Sequence, residues 1–493
     1  MRPGLLPALL ALAACPAEAP APAPTAARPA AAPAGGPRPG VPPPPPPRGG
    51  PGGPGGPSGP SGPPVLRVSP EFQLGPAPAG RPHRNIVLVS LDTVGAPFLA
   101  LHGGPARLPT LEGLAAAGVV FDAAITHQPE TCAAHWAMMT GVPPLAHGDV
   151  VKVRGSALSV PTLAEIATHQ GYKAGAFYGG FTVTDEACGL GRGFTHQVDR
   201  VPRDHHAPFR PGNDVVDDAL AWMRAQSGPT FTFIHLFDAH FPYTPSPAAA
   251  ARFATGYRGS LDGSDGALDP FRHGHRTPSA AEVAHVRSLY LAEIEELEPL
   301  LARIAEAAGP DAILAVTADH GESFGHNQWF NHKDSLWDEV LRVPLVLRGP
   351  GVPSGQRVAA PVGLVDLAPT LLTLAGLPVD RRVAGRDLAT VWAGGPGAGA
   401  VLSHTDAFRP AVGWSRRRLA DKEIHQGGAA LRFDLAADPA EAHALPAGPP
   451  GTIEAEIRAE AARWSPAGAA PDGATRAGSD ALLEVLGYVE PSP

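Results

Sequence analysis

The 493-residue chain is poor in several features that would narrow its class. It has three cysteines, too few for a fold built on disulfides or for a multi-cysteine zinc module. No apolar run reaches the ~18 residues that a spanning helix needs, which excludes a multi-pass membrane protein. Basic residues are not in excess. Lys and Arg number 38 against 47 Asp and Glu, a net charge of −9, so nucleic acid is not an expected partner. There is no internal repeat. What the chain does have in abundance is glycine and proline, 58 and 60 residues, unevenly spread. Residues 16–82 are crowded with them and read as a disordered Pro/Gly/Ala-rich linker. The Pro42–Pro47 run and the Gly-Gly-Pro repeats near Pro51–Pro57 favour polyproline II segments with flexible joints. About 410 residues remain beyond it, enough for one large α/β domain with a smaller C-terminal partner.

Met1–Cys15 carries Arg2, an apolar core from Leu5, then small residues and a cysteine, the pattern of a secretory signal. Leu12-Ala-Ala-Cys15 resembles a bacterial lipobox. That implies export, lipidation of Cys15 and anchorage to a membrane surface, periplasmic or at the cell exterior.

In the folded part, Asn85–Leu91 is a continuous apolar run, as expected of a strand buried on both faces of a parallel sheet. Helical spacing follows over Leu108–Gly118, Thr162–Gln170, Val215–Ala225, Ala280–Ala307 and Leu364–Leu374. Strands are predicted at Ala174–Tyr178, Thr230–Leu236, Ala312–Thr317 and Leu341–Leu347, with Ala429–Leu435 the only clear late one. This alternation predicts an α/β fold, a doubly wound, mostly parallel sheet with helices on both faces. Functional groups in such a sheet collect past the carboxyl ends of the strands. Three polar clusters stand there: Asp92-Thr93, Asp238-Ala-His240 and Asp319-His320-Gly-Glu322. Carboxylates beside histidine suit a divalent cation, with Zn²⁺, Mn²⁺ and Ca²⁺ all compatible. Asp334 and Asp338 read as helix-start caps, His235 as a satisfied strand-end histidine, and His326 as a loop residue.

Several ordered segments carry a resemblance: Asn85–Thr93, Thr131-Cys-Ala-Ala-His-Trp-Ala-Met-Met-Thr-Gly141, Thr317–Gly325, Leu336–Pro344, Val365–Thr370 and Leu486–Val489. Together they resemble the sulfatase family of the alkaline phosphatase superfamily, in its threonine-nucleophile form. The family signature runs C-x-P-S-R-x-x-x-L-T-G, its cysteine oxidised to formylglycine, or begins with Thr and ends its first five residues in Ser-His. Nine residues back from Thr140 lies Thr131, which falls at the nucleophile, with His135 at the Arg/His position. Cys132 is one residue out of register and reads as a small buried hydrophobe. Ala133 and Ala134 replace the usual Pro-Ser, and Val94–Phe98 replaces a basic stretch.

The resemblance implies one divalent cation held by Asp92, Thr131, Asp319 and His320. It places His240 and His332 on the leaving-group side and makes His135 and Lys333 charge-stabilising groups. It implies a catalytic domain over 83–395 and a small C-terminal α+β subdomain with its tail over 396–493. The implied activity is hydrolysis of sulfate, phosphate or phosphonate esters on a small-molecule, glycan or lipid substrate, through a covalent threonine ester. A formylglycine hydrate sheds sulfate by re-forming its aldehyde. Threonine has no second oxygen on that carbon, so phosphorus esters are favoured over sulfates. The alternatives are a phospho-headgroup transferase on the same scaffold and a surface-anchored homologue that has lost catalysis.

Overall fold

The computed structural model describes residues 65–148, 150, 154–202, 209–405, 412–447 and 452–463. Cys15 with its signal, residues 16–64 of the expected linker, and Leu486–Val489 lie outside the described residues. Every residue of Ile86–Leu91 (β1) is buried, as an aliphatic strand covered on both faces must be. It lies inside an eight-stranded sheet with β2 (Val119–Phe121), β3 (Lys173–Phe177), β4 (His196–Val198), β5 (Thr230–Leu236), β6 (Ile313–Ala318), β7 (Leu345–Arg348) and β8 (Gln356–Val358). The spatial order is β8-β2-β7-β6-β1-β5-β3-β4. β7 runs antiparallel to β6 and β2, and the other neighbours are parallel.

The helices that position the site are α1 (Pro109–Ala116), α2 (Thr131–Thr140), α3 (Leu163–His169), α4 (Asp185–Cys188), α5 (Gly212–Ala225), α6 (Ala280–Glu296), α7 (Glu298–Ala308) and α8 (Leu367–Leu374). They include two mutually packed groups, α1 and α5 with α7, and α2 and α3 with α8. This is the α/β architecture expected from the alternation. α3 starts on a capping box between Thr162 and Glu165.

Several expectations need correction. The long helix expected at Ala280–Ala307 is two, broken at Leu297, because Pro299 at the start of α7 has no N–H to continue the ladder. Leu341–Leu347 is not one strand. Pro344 divides Arg342–Val343, which pair in a separate three-stranded sheet, from β7. The late region holds a five-stranded antiparallel sheet rather than a single strand: β9 (Val401–His404), β10 (Trp414–Arg417), β11 (Asp421–Gln426), β12 (Ala429–Asp434) and β13 (Leu445–Pro446). The end of the expected linker, residues 65–82, is tied down. Leu66 and Glu71 donate backbone bonds to Arg154 and Ser159, Gly75 donates to Val379, and Arg67 pairs with Asp185.

The C-terminal sheet packs Val401, Ile424, Phe433 and Leu435 against Ile125, Leu336, Trp337 and Leu341. Beside this apolar contact sits a buried charge cluster. Lys422, fully buried, places Nζ 2.7 Å from Asp338 and 2.8 Å from Glu441, and Arg417 Nε lies 3.0 Å from Asp338. Asp338 is therefore an ion-pair partner and not the helix cap expected of it. The Lys422 and Arg417 cations hold its carboxyl well below the usual range against the opposing effect of burial. Lys422→Met would take the Lys422 cation from buried Glu441 and leave Asp338 with Arg417, and is expected to cost about 3–5 kcal/mol, read as a lowered urea midpoint.

Candidate active site

The parallel register brings the carboxylates together. Ser90 pairs with Thr317 on one side and His235 on the other, so the next residues past the strand ends include Asp92 and Asp319 at one level. Side chains two apart along a strand share a face, which puts Ser90, Asp92, His235, Thr317 and Asp319 on the same side of the sheet. Thr131 is the first residue of α2, a helix buried along its whole length. Its Oγ1 lies 3.4 Å from His320 Nε2. Oxygens of Asp92 and Asp319 and a nitrogen of His320 lie within 4.8 Å of one another, all fully buried. Cys132 turns away from this cluster into a disulfide with Cys188 of α4. It is therefore neither a free thiol nor a formylglycine precursor, and the expectation of a plain buried hydrophobe is corrected.

Whether a cation fits can be judged from the polar atoms. Asp92 Oδ1 and Asp319 Oδ2 are buried without a hydrogen-bond partner. Burial, and then the Asp319 charge, push the Asp92 carboxyl well above its ordinary range. His320 Nδ1 meets the Gly321 carbonyl at 3.1 Å and must donate to it, which leaves the Nε2 lone pair facing Thr131 and Asp319. Two buried carboxylates, each with one unpartnered oxygen, and an imidazole nitrogen whose lone pair faces the Thr131 hydroxyl form a donor set that fits a divalent cation. Thr93 extends the site with a strained backbone, φ 59°, at a β-branched residue. Tyr290 Oη donates to its carbonyl at 2.7 Å, and Asp319 Oδ1 accepts its N–H at 3.3 Å.

His135 is held on both sides. The Thr131 carbonyl, 2.6 Å away, can only accept, so Nδ1 carries the proton, and Nε2 sits 2.9 Å from Ser90 Oγ. Burial pushes its pKa down to about 4. The ring is thus neutral, and it secures the backbone of Thr131 rather than supplying charge. His240, His332 and Lys333 are buried as a second group. The His332 ring stacks on His320 with centroids 4.1 Å apart, and His240 lies 5.6 Å from His332. His240 Nδ1 donates to the Phe241 carbonyl at 2.8 Å, and its Nε2 has no hydrogen-bond partner. Burial pushes both imidazoles well below their ordinary range, and the charges of Lys333 and Arg272 add to this.

One residue near the centre escapes the sequence reading, and a second has a place there that the sequence reading did not give it. Arg272, buried with its guanidinium over the Phe241 ring, comes from a segment with no recognisable pattern. His235 is satisfied, as expected, but lies within the centre, with Nε2 3.1 Å from Asp92 Oδ2. The signal for it was the strand register opposite Ser90. Glu322 points to Tyr243, whose Oη donates to it at 2.8 Å, and is not a member of the carboxylate cluster. His326 is a half-buried loop residue paired with Glu339.

A mostly parallel sheet with such a centre at its carboxyl edge has the architecture of the alkaline phosphatase-like proteins. Within that class the chain belongs to the sulfatase family, whose model matches residues 84–377. It is similar to arylsulfatase K of Canis lupus familiaris, 24% identical over 62% of this chain and 65% of that protein. The chain thus spans less than two thirds of the curated relatives it matches first. Among solved structures, it shares its fold with a protein solved in complex with its substrate D-glucosamine-2-N,6-O-disulfate. That likeness has a TM-score of 0.61 and 18% identity, covering 77% of this chain and 96% of the other. The phosphonate monoester hydrolase of Agrobacterium radiobacter is similar at TM-score 0.59 and 21% identity, covering 77% of this chain and 94% of that one.

Proposed function

We propose that the chain is a metal-dependent ester hydrolase in which Thr131 is the nucleophile, acting on phosphate or phosphonate esters in preference to sulfates. One observation carries the reading: the Thr131 hydroxyl stands at the start of a buried helix, beside His320 and two carboxylates with unpartnered oxygens. Asp92, Asp319 and His320, with the Thr131 oxygen, would hold the cation, which supplies Lewis-acid stabilisation of the alkoxide and of the ester's oxygens. The N-terminal end of α2 favours an anionic ester next to Thr131. His135 fixes the Thr131 turn through its carbonyl. Having lost its proton to solvent, Thr131 Oγ bonds to the phosphorus or sulfur as the bond to the alcohol oxygen breaks, and water then attacks that atom to free Thr131 from the covalent ester.

His240 or His332, each with an unpartnered ring nitrogen, hands a proton to the departing alcohol. Burial pushes both well below the ordinary imidazole range, so either takes up that proton only when an anionic ester offsets the cost of burial. Lys333 adds positive charge on the same side. A sugar or lipid ester fits the class, and the disulfated glucosamine bound by the structural neighbour supports a glycan. Export with lipidation at Cys15, and a tether over 16–64, are supported by the leader pattern. They are also consistent with the disulfide, since such bonds persist in oxidising compartments. Among the described residues no helix is long and apolar enough to cross a membrane.

The test is a panel of 4-nitrophenyl phosphate, bis(4-nitrophenyl) phosphate, 4-nitrophenyl phenylphosphonate and 4-nitrophenyl sulfate, each with Mn²⁺, Zn²⁺ or Ca²⁺. Higher kcat/KM on the phosphorus esters is expected. Faster turnover of the sulfate would overturn the preference. Metal binding without any hydrolysis would favour a homologue that has lost catalysis, and headgroup movement between lipids would favour a transferase.

A further inference from the structure

The chemistry above leaves one imidazole of the centre without a part. His235 in β5 is fully buried and stands opposite Ser90, on the face of the sheet that also carries Asp92. Its Nδ1 accepts the backbone N–H of Gly180 at 3.4 Å, so a neutral ring keeps its proton on Nε2. That N–H donates to Asp92 Oδ2 at 3.1 Å. One carboxylate oxygen is thereby occupied, and the other, Oδ1, is the one left without a partner. Gly180 is suited to the role because a Cβ there would run into the Phe237 ring.

We infer that His235 is a positioning residue for the cation centre. The relay from Gly180 N–H through His235 to Asp92 Oδ2 sets the rotation of the carboxylate, so that Oδ1 faces the cation. The inference rests on the reading of Asp92, Asp319 and His320 as the centre. A rival arrangement would seat a second cation among His135, His235 and Asp319, whose ligand atoms also lie within 4.8 Å of one another. The tautomers argue against it. The His235 Nδ1 lone pair is taken by Gly180. His135 Nδ1 donates to the Thr131 carbonyl, and its Nε2 faces the Ser90 hydroxyl. Neither ring has a free lone pair to give.

The experiment measures Mn²⁺, Zn²⁺ and Ca²⁺ stoichiometry and affinity by competition with a chelating dye. It uses the full chain, His235→Ala and His235→Gln, with thermal midpoints taken in excess EDTA. His235→Ala is expected to weaken the cation by about 10–100-fold at a stoichiometry of one, as for other partners that orient a ligand. His235→Gln, whose amide N–H can replace Nε2–H, is expected to recover most of that loss. EDTA midpoints should be alike in the two variants. Unchanged affinity in His235→Ala would overturn the positioning role. Equal weakening in both variants, together with a lowered EDTA midpoint, would make it a packing role and overturn it too. Two equivalents in the native chain falling to one in His235→Ala would replace it by a second-ion site. No cation bound by the native chain would sink the reading of the centre itself, whatever the variants do.

Discussion

Thr131→Ala is expected to lower kcat/KM on the best phosphorus ester by at least ~10³-fold, about 4 kcal/mol of transition-state stabilisation. The size follows from what is removed. With the Thr131 hydroxyl gone, no other hydroxyl among the described residues is hydrogen-bonded to His320, and the attack must fall back on water. Thr131→Ser keeps the oxygen and should retain much of the rate, whereas Cys132→Ala keeps the oxygen but loses the bridge to Cys188. The three variants therefore separate the two neighbouring residues that compete for the nucleophile in the signature. Steady-state kinetics decide it, with a trapped phospho-threonine on a rapid acid quench as independent support. An unchanged rate in Thr131→Ala would mean that another group attacks.

Removing the cation with EDTA is expected to have an effect of comparable size, with activity falling to background and returning when Mn²⁺, Zn²⁺ or Ca²⁺ is added back. Asp92 and Asp319 are fully buried, and each has an oxygen with no partner. Without a cation the pair is two like charges, or protons must be bound to avoid that. Saturating cation should also raise the thermal midpoint, since at 100 times Kd a ligand of the folded state adds about 2.7 kcal/mol. Differential scanning fluorimetry with and without each ion measures this. A chain that is equally stable and equally active in chelator would contradict the proposed centre.

Much of the candidate centre is visible in the order of residues, because a mostly apolar strand followed by Asp says where its carboxyl edge lies. Ile86–Leu91 before Asp92, and Ile313–Ala318 before Asp319, are of that kind. Parallel pairing then makes neighbours of residues 227 apart, which spacing along the chain does not express. The same reason hides His235, whose importance depends on standing opposite Ser90. Short elements were harder. The strands of the C-terminal sheet are two to six residues long and carry charged side chains such as Lys422 inward, against the usual alternation. Asp338 looks like a cap by position, and only the approach of β10 and β11 makes it an ion-pair partner. Leu341–Leu347 misled because an apolar run continues through Pro344 while the hydrogen bonding does not.

The bond between Cys132 and Cys188 reaches past packing into how the protein can be made. It joins the turn that presents Thr131 to α4, and α4 is itself paired through Asp185 to Arg67 of the N-terminal segment. With Cys132 spent on a bridge and Thr131 as the proposed nucleophile, the chain would need no accessory enzyme to convert a cysteine. Activation would then depend on thiol oxidation and on the proposed cation. Recombinant batches from an oxidising cell compartment should work without a co-expressed maturase.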